Sequence, residues 1–133
     1  MFGFERLEVW QKAVEYADTI YVATRAFPDD ERFGLTRQLR DASISISSNI
    51  AEESARSSTI DFKRFIEIAY GSLLETVSQL TVAERQGFIG VQAYQSIYAQ
   101  AENLARMLSG LRQNLSNRSK LKVTDSDSQD RQP

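Results

Sequence analysis

Apolar residues recur every three or four positions through four stretches of the chain, the spacing that places them on one face of an α-helix. The stretches run from about residue 4 to 27, from about 31 to 55, from after residue 59 to the turn at residues 86–90, and from that turn to residue 115. The rows predicted to face a core are Leu7, Trp10, Val14, Ala17 and Tyr21; Leu35, Leu39, Ala42, Ile46, Asn49 and Glu53; Phe62, Ile66, Ala69, Leu73, Thr76, Leu80 and Ala83; and Tyr94, Ile97, Ala101, Leu104, Leu108, Leu111 and Leu115. Each stretch is therefore predicted to be an amphipathic helix.

Short segments rich in helix breakers separate these stretches. Pro28 ends the first helix, because the residue before a proline is displaced from helical geometry. Ser58 and Asp61 resemble a capping box, and residues 86–90 contain two glycines. The alternating run from Ser43 to Ser47 has the period of a strand, but helical spacing persists on both sides of it. Because the connections are short, the sequence predicts an all-α fold: an antiparallel up-down-up-down four-helix bundle, one domain over residues 1–116.

The periodicity stops after Leu115. From residue 117 to 133 only Leu121 and Val123 are aliphatic, and the last ten residues are almost all polar. So little apolar surface does not offset the entropy lost on ordering. We therefore predict that residues 117–133 form a polar, flexible C-terminal tail.

The composition excludes several classes of activity. The chain has 133 residues with no histidine and no cysteine. Thiol and Ser-His-Asp catalysis and the usual zinc, haem and di-iron sites are therefore excluded. Acidic residues such as Glu15, Glu67 and Glu75 lie off the apolar rows and are expected to face solvent, and no phosphate-binding glycine loop occurs. We predict that the protein is not an enzyme and has no catalytic residue, metal or cofactor.

No segment marks export or a membrane. Charges at Glu5, Arg6 and Glu8 interrupt the N-terminus before the apolar core of a signal peptide is reached. No stretch approaches the roughly 18 apolar residues that a membrane-spanning helix needs. We therefore expect a cytoplasmic location and no membrane partner.

One polar group lies on the predicted core face. Asn49 and Glu53 are four residues apart on one helix and therefore stack, and antiparallel pairing places Trp10 near their level. One interpretation is structural: these groups bond to the Trp10 indole, to a helix end or to an arginine such as Arg6 or Arg56, and fix the helix register. The other is an acid catalyst, for which the pattern supplies no second acid, base or nucleophile. The sequence favours the structural role.

Apolar positions outside the core rows form further ordered rows on three helices. These are Val9, Ala13, Tyr16 and Ile20; Phe33, Arg37, Arg40 and Ile44; and Tyr70, Leu74 and Val77. A monomeric bundle needs one apolar stripe per helix, so additional stripes indicate a partner surface. Because the rows lie on different faces, we expect a heterologous contact that closes into a ring. The predicted oligomer interface consists of Val9, Tyr16, Ile20, Phe33, Ile44 and Leu74.

Two small basic groups are candidates for contact with RNA. They are Arg32, Arg37 and Arg40, and Arg56, Lys63 and Arg64. The chain has a net charge of -2, and acidic residues interleave with both groups. Neutralising phosphates normally requires a clear basic excess. The charge pattern therefore favours ordinary surface ion pairs, and RNA binding stays as the alternative.

Four blocks of the sequence carry a resemblance to a known family. They are LEVWQKA at residues 7–13, ERFGLTRQLR at 31–40, SSNIAE at 47–52, and F-x-x-F-x-x-I-A-Y-G-S-L-x-E at 62–75. Over about residues 4–115 the chain resembles the bacterial four-helix-bundle proteins of the 23S ribosomal RNA intervening-sequence family. It departs from them at Glu53, where many relatives have glycine. Its acidic balance also differs from the related accessory proteins of diversity-generating retroelements, which are basic and contact RNA and a reverse transcriptase.

The resemblance implies a homopentameric ring with no established enzymatic activity. It also implies that Gly71 and Ser72 permit a close helix contact and that Glu75 bonds to a neighbouring helix or subunit. The expected partner is therefore a further copy of the chain. The number five rests on the resemblance alone, and an RNA-binding accessory role is the alternative that it offers.

Overall fold

Four helices account for most of the chain. The computed structural model describes the backbone of residues 1–55 and 59–130 and the side chains of residues 1–55 and 60–117. The helices are α1 (Glu8–Thr24), α2 (Leu35–Glu53), α3 (Thr59–Arg85) and α4 (Val91–Asp130), with short 3-10 turns at Gly3–Arg6 and Asp29–Glu31. The described ranges contain no strand. The predicted all-α four-helix bundle is confirmed, and the alternating run at residues 43–47 is helical.

Side-chain hydrogen bonds fix how the helices pair. Ser45 on α2 bonds to Ser72 on α3 (Oγ–Oγ 2.9 Å), and Gln79 Nε2 donates to Gln38 Oε1 (3.3 Å). Moving toward the start of α2 therefore moves toward the end of α3, so the two helices are antiparallel. Each helix packs against the next, and α4 packs against α1. The α1–α2 and α3–α4 pairs consequently form opposite faces of the bundle.

Helices α2, α3 and α4 turn the predicted rows inward. On α2 the core contains Leu39, Ala42, Ile46 and Ile50, together with the hydroxyl of Ser43. The buried residues of α3 and α4 are Ile66, Ala69, Leu73, Thr76, Leu80 and Ala83, and Ile97, Ala101, Leu104, Leu108 and Leu115. A single apolar stripe on each helix therefore specified the face that packs.

Helix α1 turns a different face to the core from the one predicted. The buried row is Val9, Ala13, Tyr16, Ile20 and Thr24. The predicted row is only partly buried and lies toward α2, where Arg40 covers the ring of Tyr21. The two rows have nearly the same spacing and differ by one residue, or about 100° around the helix. Placing Val9, Tyr16 and Ile20 at an oligomer interface was therefore wrong, because they fill the core of their own chain.

The turn between α3 and α4 lies where the glycines predicted it. Gly87 has φ +77°, a conformation that residues with a Cβ rarely adopt. Its N–H donates to the carbonyl of Glu84 (3.0 Å), and the N–H of Phe88 donates to Ala83 (2.9 Å). These bonds satisfy carbonyls at the end of α3. Phe88 then packs against Phe27, with ring centroids 5.8 Å apart, and ties this turn to the α1–α2 loop.

The backbone of α4 continues past the predicted end of the bundle. The sequence predicted that this helix ends near residue 116, whereas the structure carries it to Asp130. No glycine or proline occurs between Leu111 and Gln132, so nothing in the backbone interrupts the helix. The loss of apolar periodicity therefore did not mark the end of the helix. Within the described ranges, no helix combines the length and apolar character needed to cross a membrane.

Candidate interaction surfaces

The polar residues predicted in the core, Trp10, Asn49 and Glu53, lie on α1 and α2. Asn49 Nδ2 donates to the carbonyl oxygen of Ser45 (2.7 Å) and to its Oγ (3.1 Å), within the same helix. Trp10 is half-buried and meets the Phe4 ring edge-on at 5.1 Å. Glu53 is buried at the end of α2. Asn49 therefore supports the α2–α3 seam through Ser45. It does not make the bond to the Trp10 indole that the sequence had suggested.

A buried hydroxyl pair crosses the middle of the core. The Tyr16 and Thr76 hydroxyl oxygens are 2.8 Å apart, and Thr76 donates its single proton to the carbonyl of Leu73 (2.6 Å). Tyr16 is therefore the donor in its bond to Thr76. Burial raises the pKa of Tyr16 to about 12, although the bond to Thr76 opposes this rise. The phenol stays protonated and out of reach of solvent, so its role is to orient α1 against α3.

Replacing Tyr16 by phenylalanine tests this role. At neutral pH we expect the free energy of unfolding to fall by about 1 kcal/mol, because Thr76 loses the proton that it accepts. In the wild type the pKa of Tyr16 rises from 10.0 in the unfolded chain to about 12 in the fold. Stability is therefore retained below pH 10 and lost as the pH rises from about 10 to about 12. The Tyr16→Phe variant should lack this part of the alkaline loss in urea titrations, and equal losses would contradict the assignment.

The first basic group is largely committed to contacts within the chain. Arg40 Nε donates to Thr24 Oγ1 (2.8 Å), and its guanidinium lies 4.7 Å from the centroid of the Tyr21 ring. A cation here is also favourable to the C-terminal end of α1. Arg37 lies 3.7 Å from Asp41, with both side chains mostly exposed. The group therefore does not present three free guanidiniums on one surface.

The second basic group is only partly within the described residues. Lys63 is half-buried and Arg64 is exposed on the first turns of α3. Arg56, like the predicted capping residue Ser58, lies outside the described residues. Arg32, from the first group, is exposed and lies over the Phe33 ring at 4.7 Å.

A shallow apolar groove of about 130 Å³ lies between α3 and α4. Its walls are Leu73, Leu74, Val77, Tyr98, Ala101, Glu102 and Ala105. Leu74 is 52% exposed and Tyr98 is 42% exposed, so the groove presents apolar surface to solvent. Leu74 was predicted as an interface residue, whereas Tyr98 and Glu102 were not. The available signal for Tyr98 was its place one turn after Tyr94, beside the core row of α4.

The outer side of α2 presents a second apolar surface. Phe33, just before the helix, is 73% exposed, and Ile44 is 42% exposed. Arg37 is exposed between them in sequence. Of the six predicted interface residues, Phe33, Ile44 and Leu74 are accessible in the folded chain, and the three on α1 are not.

A third groove, of about 390 Å³, lies between α1 and α4. Most of the side chains that line it are small. Val22 is the lining residue with a large exposed aliphatic side chain, which is 59% exposed. Among the residues that the structure describes, no group of three acidic side chains is placed to hold a metal ion. The accessible features among the described residues are therefore mainly apolar surfaces.

The structure places the three residues that the resemblance singled out, Gly71, Ser72 and Glu75. Gly71 faces open space, since a Cβ built on it meets no atom within 4 Å. Ser72 does make the close α2–α3 contact, through Ser45. Glu75 accepts a bond from Gln79 Nε2 (3.1 Å) on its own helix and remains exposed.

Comparison with known proteins supports the resemblance. The family model described as 23S rRNA-intervening sequence protein matches residues 5–110. The chain is also similar to a crystal structure from Bacteroides thetaiotaomicron VPI-5482, described as a protein with unknown function from the S23 ribosomal protein family. The two share 25% sequence identity and a TM-score of 0.71, over 78% of this chain and 97% of that one. A search of curated proteins finds no match.

Proposed function

We propose that this chain, which belongs to the 23S rRNA-intervening sequence protein family, is a non-enzymatic cytoplasmic protein that assembles with copies of itself into a ring-like oligomer. The observation that carries the proposal is the exposure of apolar side chains on opposite faces of the bundle. Ile44 is exposed beside α1, and Leu74 is exposed beside α4. The role of such an assembly is to present several copies of one surface to a further partner.

The placement of Ile44 and Leu74 follows from their neighbours. Arg40 contacts Thr24 and Tyr21 of α1, and Ile44 follows Arg40 by one turn on the same flank of α2. Leu74 lines the groove that α3 forms with α4. A two-fold contact through either face leaves the other face uncovered. A heterologous contact covers both faces at once, and it closes into a ring when the rotation between copies permits.

The amount of apolar surface fits an association of moderate strength. Fully burying a side chain of this size contributes about 1.5–3 kcal/mol, and association costs roughly 4–15 kcal/mol. The exposed parts of Phe33, Ile44, Leu74 and Tyr98 together reach the lower end of that cost. In a closed ring each copy makes two such contacts, and this strengthens the assembly.

Sedimentation velocity at micromolar concentration tests the proposal. We expect one sharp species whose mass is a multiple of 15.1 kDa. The family resemblance predicts five copies, or about 75 kDa. A chain that remains monomeric at 50–100 times the concentration used for the first run would overturn the proposal.

The alternative function is that of an RNA-binding accessory protein. It rests on the exposed Arg32 and Arg64, and the contacts of Arg40 weaken it. With a net charge of -2, we expect affinity for ribosomal RNA fragments to be weaker than micromolar at about 150 mM salt. Fluorescence anisotropy over a range of salt concentrations measures this. Submicromolar affinity that falls steeply with salt would favour the alternative.

A further inference from the structure

We infer that the contact between copies pairs the outer side of α2 on one copy with the α3–α4 groove of the next. The occupant of the groove is thus the Arg37–Ile44 side of a second copy of this chain. This inference rests on the proposed self-assembly and deepens it by naming the two surfaces that meet. Three observations carry it: the height of the two surfaces on the bundle, their apolar character and their charges.

The two surfaces lie at the same height. Ser45 pairs with Ser72, and Gln38 pairs with Gln79. This register places Leu74 at the height of position 43 of α2. Ile44 is the next residue along α2, so Ile44 and Leu74 lie at the same height on their separate faces. In a ring whose axis runs along the helices, neighbouring copies are related without a shift along that axis. Ile44 of one copy therefore meets Leu74 of the next without any displacement of either.

The apolar surfaces are complementary in kind. Ile44 projects from a helix, whereas Leu74, Val77 and Tyr98 surround a shallow depression. The ring of Tyr98 leans against Tyr94, with centroids 5.9 Å apart, and Tyr94 bonds to Thr81 Oγ1 (2.9 Å). These contacts hold one wall of the groove in place, so seating an aliphatic side chain there orders little that is not already ordered.

Each surface carries one residue whose charge could pair with the other surface: Arg37, beside Asp41 on α2, and Glu102 in the groove. Arg37 is exposed on the same side of α2 as Ile44 and lies two turns nearer the α1–α2 loop. Its ion pair with Asp41 is long, at 3.7 Å. Glu102 lines the groove. In a contact that seats Ile44 against Leu74, Arg37 lies two turns, or about 10 Å, along the helix axis from Ile44, so its long side chain must extend toward Glu102 to pair with it. The pair would set the orientation of the contact, as charges at a rim commonly do.

The α1–α4 groove is the competing site for a second copy. It is larger, and small side chains line most of it. Val22, exposed in this groove, supplies a matched control position.

Both Arg37 and Glu102 are exposed on helix surfaces, so exchanging their charges keeps the helices intact.

Charge exchange tests the pairing by sedimentation equilibrium. We expect Arg37→Glu and Glu102→Arg each to weaken assembly about tenfold or more at low salt, and the double variant to recover most of that loss. The control Val22→Glu should assemble as the wild type does, and circular dichroism should show equal helix content in all variants. Recovery in the double variant is the result that a merely structural effect of either substitution does not produce.

Two results would overturn the inference while leaving self-assembly in place. One is an oligomer that withstands both single reversals, and the other is dispersal by Val22→Glu, which would assign the contact to the α1–α4 groove. A wild-type chain that is monomeric overturns the proposed function as well, so the two failures are distinguishable.

Discussion

Replacing both Tyr16 and Ile20 by glutamate is expected to unfold the chain. Both side chains are almost completely buried, and Tyr16 also donates the hydrogen bond to Thr76. Unpaired charges in a core cost several kcal/mol each, which is comparable to the whole stability of a small domain, about 5–15 kcal/mol. Far-UV circular dichroism and urea titration should show loss of helix and of the cooperative transition.

The matched control for this variant is Val22→Glu on the same helix, which should keep both the helix signal and the transition. Had the α1 row been an interface, as the sequence predicted, the double variant would be a folded monomer. A cooperative, fully helical double variant would therefore contradict the position of α1 in this fold.

Placing a glutamate at Ile44 or at Leu74 is expected to disperse the oligomer into folded monomers. Each substitution puts a charge in the middle of the proposed contact, where it must be desolvated without a partner. Neither side chain belongs to the core, so helix content should stay unchanged. Light scattering should give 15.1 kDa for both variants at concentrations where the wild type is assembled.

A glutamate at Val22, outside the proposed contact, is again the control and should retain the wild-type mass. If Ile44→Glu disperses the oligomer and Leu74→Glu does not, the two surfaces do not meet. That result would assign the contact of Ile44 to a two-fold contact through α2 or to another face, such as the α1–α4 groove.

The sequence predicted the fold well where each helix carries one apolar stripe. On α4 the row ending at Leu115 has no competing apolar row. Every α4 residue that is buried among the described side chains belongs to this row. Helix α1 has two rows of nearly equal apolar character, one through Tyr16 and one through Tyr21. Which of them faces the core depends on how α1 is rotated against α2 and α3, and no local pattern encodes this. The end of α4 was misplaced because the loss of apolar periodicity was taken for the end of the helix.

The candidate surfaces were only half predictable for a related reason. Exposure of Phe33, Ile44 and Leu74 followed from positions that lie off the core rows. The groove partners Tyr98 and Glu102 come from a different helix, and only the α3–α4 register places them beside Leu74. Likewise, the bond from Arg40 to Thr24 spans two helices and removes that arginine from the basic group that the sequence had outlined.

The central claim is that copies assemble by a heterologous contact between opposite faces, and disulfide crosslinking tests it most directly. The chain has no cysteine, so cysteines at positions 44 and 74 are the only thiols in an Ile44→Cys, Leu74→Cys variant. Within one copy they lie on opposite faces, beyond the roughly 7 Å between Cα atoms that a disulfide allows. Mild oxidation should give a ladder of covalent multimers that ends in a closed ring, while each single-cysteine variant stays uncrosslinked. Rapid dimer formation by either single variant, with no ladder from the double variant, would contradict the claim.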